Sequence, residues 1–261
     1  MRRLIDSPPH VKTPLLEIRA GNQPRIPLPR PAMRSLLLHG LSLLTFCACT
    51  ACALEPTPRP DPQTFAHEVA AFAKRPVKKG GIVFTGSSSI RLWPDLKGDF
   101  PGLPVINHGF GGCVSNDLIV HFGTVVAREE PKLLVVYSGN DLHKNLTVGE
   151  AFGDLTGFVE LARDRFPDIR VILNPVKIAR SRSAEIPRVH ELNDRLKAWS
   201  ADREWVRFID SASYLADADG RPIPDYYRED ELHLSAAGYV KWREILEPVL
   251  REEWAKANLT L

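Results

Sequence analysis

Cysteine is nearly absent from most of this chain. Of its four cysteines, Cys47, Cys49 and Cys52 fall within the first 53 residues, which leaves Cys113 alone in the remaining 208. A lone cysteine cannot form an internal disulfide, so that part of the chain is not a disulfide scaffold. Long apolar runs are lacking too. The longest, around residues 36–53, is short and interrupted for a membrane span, which needs about 20 residues. There is no excess of basic residues beyond the first 53, where seven Lys/Arg stand against two Asp/Glu. The rest carries 27 basic and 30 acidic residues, so a basic face for nucleic acid is not expected. No internal repeat, G-x-G-x-x-G dinucleotide fingerprint or G-x-S-x-G elbow occurs. His108, His121, His143 and His190 lack metal-ligand spacing, so neither metal nor cofactor is expected.

What is present divides into four parts. Residues 1–32 are proline-rich without an apolar period, and are read as a mis-start or leader upstream of Met33. Residues 33–53 run from a basic start through "LLLHGLSLLTFCACTACA" to small residues at Ala51 and Ala53, the pattern of a signal peptide. The expectation is therefore a secreted or periplasmic protein. Lipid anchoring at Cys49 or Cys52 is the alternative, although neither has leucine three residues before it. Residues 54–64 read as a polar, proline-rich linker, and 65–261 as the folded domain.

Within that domain short apolar runs alternate with helical periods. The runs are Ile82-Val83-Phe84, Pro104-Val105-Ile106, Leu133 to Tyr137, Ile169 to Leu173, and Val206 to Ile209. They are mostly β-branched and apolar on both faces, as buried parallel strands are. Helical periods fall near 65–74, 115–128, 149–166, 185–202 and 236–255. The alternation predicts an α/β fold, a three-layer α/β/α sandwich around a mainly parallel five-stranded sheet. Ligands bind such sheets beyond the carboxyl ends of the strands. Three of these ends carry Gly86-Ser87-Ser88, Asn107-His108-Gly109 and Ser138-Gly139-Asn140.

A serine hydroxyl attacks only when a base takes its proton and a third group orients the base. Asp230-Glu231-Leu232-His233 offers both partners, though the same four residues also read as a charged turn before a C-terminal helix capped by Ser235. Donors for a developing oxyanion could come from Gly109-Phe110-Gly111-Gly112 and from Asn140. Glycine and asparagine are equally ordinary turn residues.

Taken together and in order, "FTGSSSIRLWPDL", "VINHGFGGCVSNDLI", "VVYSGNDL" and "YYREDELHLSAAGY" resemble the SGNH (GDSL-type) hydrolase superfamily. The resemblance covers about residues 80–250 and is nearest to its small bacterial esterases, which are similar to platelet-activating-factor acetylhydrolase catalytic subunits. It implies a flavodoxin-like sandwich and a serine esterase acting through an acyl-enzyme. The family's Gly-Asp-Ser falls on Gly86-Ser87-Ser88, which implies Ser88 as nucleophile. Its Asp-x-x-His falls on Asp230 and His233, implying His233 as general base and Asp230 as its orienting partner. Gly112 and Asn140 fall on the oxyanion-hole positions, beside the N–H of Ser88.

Three positions depart from the pattern. Ser87 replaces the aspartate beside the nucleophile, Ser138 replaces the first glycine of Gly-x-Asn-Asp, and Cys113 stands where a small polar residue is usual. Cys113 is expected near the pocket, within reach of thiol reagents. A catalytic Cys113 is the sharper alternative, with no neighbouring histidine in sequence to support it. Short connections and no long lid favour small acyl groups, such as acetyl esters of a carbohydrate or lipid. Lysophospholipid or thioester cleavage, or carbohydrate or lipid binding without catalysis, are the other readings.

Overall fold

The computed structural model describes residues 55–259, so the expected leader and signal segment lie outside the described residues. Each of the five apolar runs forms a strand: β1 (Ile82–Gly86), β2 (Val105–Gly109), β3 (Leu133–Tyr137), β4 (Arg170–Leu173) and β5 (Val206–Phe208). They make one sheet in the order β2-β1-β3-β4-β5, and every pairing is parallel. The chain leaves β1 for β2 on one side and then crosses to β3 on the other. The order therefore reverses at β1, and Gly86 lies in register with Gly109 and Tyr137 at the carboxyl edge. Such a reversal opens a crevice beyond the strand ends.

Helices cover both faces: α1 (Ala66–Ala73), α2 (Ser88–Arg91), α3 (Leu96–Asp99), α4 (Ser115–Val120), α5 (Phe122–Val125), α6 (Val148–Arg165), α7 (Ile186–Ala201) and α8 (Ala236–Ala257). Side chains alternate along each strand, so each strand feeds two cores. Val83, Leu134, Val136 and Val171 pack under α1 and α4 to α7. Phe84, Val135, Tyr137 and Ile172 pack under α8 with Trp93, Phe100 and Trp242. Trp93 and Trp242 are core residues, while Trp199 and Trp254 are half-buried at its margins.

Two expectations change in detail. The helical period at 115–128 is broken, because His121 leaves helical geometry between α4 and α5 and its ring nitrogen meets the Pro62 carbonyl at 2.9 Å. The stretch read as a linker is tied to the fold. Thr57 donates through N–H and hydroxyl to Glu150, Arg59 donates to Asp154 at 2.7 Å, and Asp61 caps a 3₁₀ turn over Pro62–Phe65.

Candidate active site

The site begins with a glycine that nothing else could replace. Gly86 has φ +128°, and a β-carbon there would collide with the Tyr137 carbonyl of the neighbouring strand. That conformation belongs to glycine. It turns the chain out of the sheet, so that Ser87 caps α2 in extended geometry and Ser88 opens the helix at the carboxyl edge. Ser87 and Ser89 are buried, whereas Ser88 is partly exposed. The Ser87 N–H donates to the Tyr137 carbonyl, and the Ser89 carbonyl accepts from the Tyr239 hydroxyl. Of the three serines only Ser88 presents its side chain to the cleft's imidazole.

That imidazole is His233, whose Nε2 lies 3.0 Å from Ser88 Oγ. Its Nδ1 lies 2.6 Å from Asp230 Oδ2. The other carboxylate oxygen, Oδ1, accepts from the backbone N–H of Leu232 and of His233, each at 2.9 Å. Burial would raise the Asp230 carboxyl pKa, but the donations from the His233 ring and these two N–H groups outweigh it and bring it down to about 2. An ionised Asp230 fixes the proton of His233 on Nδ1 and leaves Nε2 free to accept from Ser88. Glu231, at φ +53°, provides the tight turn that folds the carboxylate back onto the ring.

Of the residues expected to hold an oxyanion, Asn140 lines the cleft with Ser88, and Gly112 adjoins it next to Cys113. Gly112 follows β2 with φ +77°, and among the described residues nothing accepts from its N–H or from that of Ser88. Asn140 follows β3, is buried, and donates from Nδ2 to the Cys113 carbonyl at 3.0 Å. This holds its amide beside the Gly112–Cys113 segment. Asp141 anchors the same loop, accepting from the Ser115 N–H at 2.8 Å and the Ser138 hydroxyl at 2.7 Å. Ser138, the departure from the glycine pattern, thus supplies a donor to a buried carboxylate.

Cys113 is corrected by the structure. Its backbone faces Asn140, but its thiol is fully buried in the core under α4 and α6, out of reach of reagents and of His233. Burial, aided by Asp117 and Asp141, pushes its pKa well up, so it is no nucleophile. His108 is a packing residue, stacked on Phe72 with Nδ1 at the Val125 carbonyl. Among the described residues no group of three or more His, Cys, Asp or Glu is arranged to hold a metal.

Two residues not singled out by their sequence pattern enter the cleft from the β4–α7 connection. Lys177 is buried and donates to the Leu232 carbonyl at 2.6 Å, one residue before His233. Arg182 donates to the Gly139 carbonyl and to Asn140 Oδ1, both at 3.0 Å. With Ser88, Asn140, Ile178 and Ala179 they line a cleft whose free interior is about 20 Å³. That is room for about one water molecule.

A parallel α/β/α sandwich with a serine, an imidazole and a carboxylate hydrogen-bonded at its carboxyl edge is the frame of a hydrolase. The chain belongs to the GDSL-like lipase/acylhydrolase family, whose sequence model matches residues 80–241. It is an ester-hydrolysing enzyme of the SGNH superfamily. Comparison with curated proteins gives no match. Among solved structures it resembles a candidate acylhydrolase from Bacteroides fragilis at 24% identity and TM-score 0.65, over 75% of this chain and 99% of that one. It also resembles a GDSL-like lipase from Bacteroides thetaiotaomicron at 23% identity and TM-score 0.61, over 74% and 98% of the two chains. An acetyl esterase mutant with acetate ion is similar at 15% identity and TM-score 0.54, over 69% and 99%. Likeness at these identities speaks for the fold.

Proposed function

We propose that the protein is a serine esterase for short-chain, chiefly acetyl, esters, working through an acyl-enzyme on Ser88. The observation that carries the reading is the unbroken chain from Ser88 Oγ to His233 at 3.0 Å and on to Asp230 at 2.6 Å. Ser88 Oγ attacks the ester carbonyl carbon as its proton passes to His233 Nε2, and the carbonyl π electrons move onto oxygen. The oxyanion accepts from the N–H groups of Ser88 and Gly112 and from the second Nδ2–H of Asn140. Collapse of the intermediate expels the alkoxide, which takes the proton from His233. Water then gives a proton to His233 and attacks the acyl carbon, and the second intermediate collapses to the carboxylic acid as Ser88 Oγ leaves and takes that proton from His233. Asp230 stays ionised throughout and stabilises the imidazolium.

The acetyl preference is supported by the narrow cleft beside Ser88, closed in by Lys177, Ile178 and Ala179. The alcohol half is proposed to be a carbohydrate or lipid. Residues 33–53 support export, which N-terminal sequencing of the mature protein tests. The function is tested with p-nitrophenyl esters of increasing chain length, run beside acetylated sugars, on wild type and Ser88→Ala. Turnover should fall steadily beyond acetate or propionate and vanish in the variant. Turnover that rises with chain length would refute the acyl preference, and a fully active Ser88→Ala would refute the mechanism.

A further inference from the structure

An asparagine serves as an oxyanion donor only if its amide is turned the right way. Asn140 has one carbonyl oxygen and one NH₂ on a nearly symmetric fork, so the choice rests with its neighbours. The Cys113 carbonyl can only accept, and it receives Nδ2–H. The Arg182 guanidinium can only donate, and it meets Oδ1. Flipping the amide would set oxygen against oxygen and N–H against N–H at both contacts. One Nδ2–H therefore remains for the cleft.

Arg182 does more than sit at one end of this pair. Its other terminal nitrogen holds the Gly139 carbonyl at 3.0 Å, so the planar fork spans two successive residues of the loop. Both acceptors are uncharged oxygens, and the guanidinium charge polarises the amide it meets. A charge-assisted bond at Oδ1 makes the remaining Nδ2–H a stronger donor. The same connection also braces the other half of the site. Ser181 donates through N–H and hydroxyl to the Glu231 carbonyl, Arg180 pairs with Glu231 at 3.2 Å, and Lys177 holds the Leu232 carbonyl.

We infer that Arg182 is a positioning residue of the oxyanion hole, which locks the Asn140 amide with an N–H toward the reacting oxygen and polarises it. The inference rests on Asn140 being an oxyanion donor. It places a determinant of turnover outside the four family motifs, in the "KIARSR" stretch after β4.

The test is a cycle of Arg182→Ala, Asn140→Ala and the double variant, with Arg182→Lys alongside, assayed on p-nitrophenyl acetate. Arg182→Ala should lose on the order of 10- to 100-fold in kcat with KM nearly unchanged, as expected for a donor misplaced by about an ångström. Arg182→Lys keeps the charge but cannot span both acceptors, so it should fall between wild type and Ala. The double variant should be no slower than Asn140→Ala. Added guanidinium at millimolar concentration should restore part of the activity of Arg182→Ala, which a merely structural role would not show. Should the alanine variant fail to fold, the comparison rests on Arg182→Lys, whose wild-type kcat would overturn the inference. Fully additive losses in the double variant would overturn it as well. A crippled Asn140→Ala beside a fully active Arg182→Ala overturns this inference alone, whereas a fully active Asn140→Ala overturns the oxyanion reading and the inference with it.

Discussion

The loop that carries Asp230 and His233 and the loop that carries Asn140 both reach Ser88, yet they are built from different kinds of contact. In the first, the working bonds join near neighbours: Asp230 to the ring and N–H of His233 and to the N–H of Leu232. It lies open to water, with the Asp230 side chain 47% exposed. In the second, Ser138, Asn140 and Asp141 are all buried; Ser138 bonds locally to Asp141, but Asp141 and Asn140 reach Ser115, Cys113 and Arg182, which stand 26, 27 and 42 residues away. Local bonds at the surface set chemistry without holding the fold together. Long-range bonds in the interior do both, because a buried polar group left unpaired is costly.

The contrast is sharpest at Asp230. In Asp230→Asn the amide oxygen would keep the two backbone N–H groups now on Oδ1, which turns the NH₂ onto His233 Nδ1. The ring must then carry its proton on Nε2 and cannot accept from Ser88. Loss of kcat by about 10⁴ is expected, the scale of such tautomer inversion in serine hydrolases. Thermal unfolding should scarcely move, and a fall of the melting temperature in parallel would break the comparison. Asn140→Ala comes next, with kcat down on the order of 10²–10³ from the loss of one oxyanion donor. Here stability should also fall, because Arg182 loses one acceptor and the Cys113 carbonyl its donor. Asp141→Ala should reverse the balance. It strands the Ser115 N–H and the Ser138 hydroxyl in the interior, at on the order of 1–3 kcal/mol each, visible in the urea midpoint. Asp141→Asn keeps an acceptor for one and a partner for the other, so its loss should be smaller. Equal midpoints for the two variants would show that the buried loop is not held by these bonds.

How far the sequence revealed each region follows the same division. The strands were legible because runs such as "LLVVY" are apolar on both faces, and only a buried parallel strand needs that. Asp230-x-x-His233 could be read because its partners are neighbours. The seating of Asn140 could not, since Arg182 belongs to a basic stretch that looks like an exposed turn. Nor could the break at His121, whose ring meets the Pro62 carbonyl 59 residues away. Cys113 shows the limit from another side. Proximity in sequence to Gly112 put the residue near the cleft correctly, but not the direction of its side chain. The one clue to Lys177 was a lysine inside the apolar run "VILNPVKIA", and burying it has a measurable consequence.

Lys177 is where the two regions stop being separable, since a buried group here supports the exposed loop. Its ammonium donates to the Leu232 carbonyl, with the Tyr227 ring 5.8 Å away. Burial first, and the Arg182 charge second, lower its pKa to about 7 against the pull of Asp230. Tyr227 and Tyr137 are shifted upward by burial and stay neutral below their ordinary pKa. In the unfolded chain the lysine keeps its proton to about pH 10.4. Below about pH 7 both states hold the proton and the folded state bears the whole burial penalty. Between about pH 7 and 10.4 the unfolded chain binds more protons than the folded one, so wild-type stability gains from this group as pH rises. Lys177→Met removes that term. Relative to the variant, wild type should therefore gain on the order of a few kcal/mol between about pH 6 and pH 10. Urea unfolding across that range measures it, and parallel curves for the two proteins would show that the lysine is not held as described. At constant pH the variant should also lose activity modestly, by about tenfold or less, because Leu232 is no longer fixed beside His233. A buried lysine then sets how firmly a solvent-facing imidazole is held.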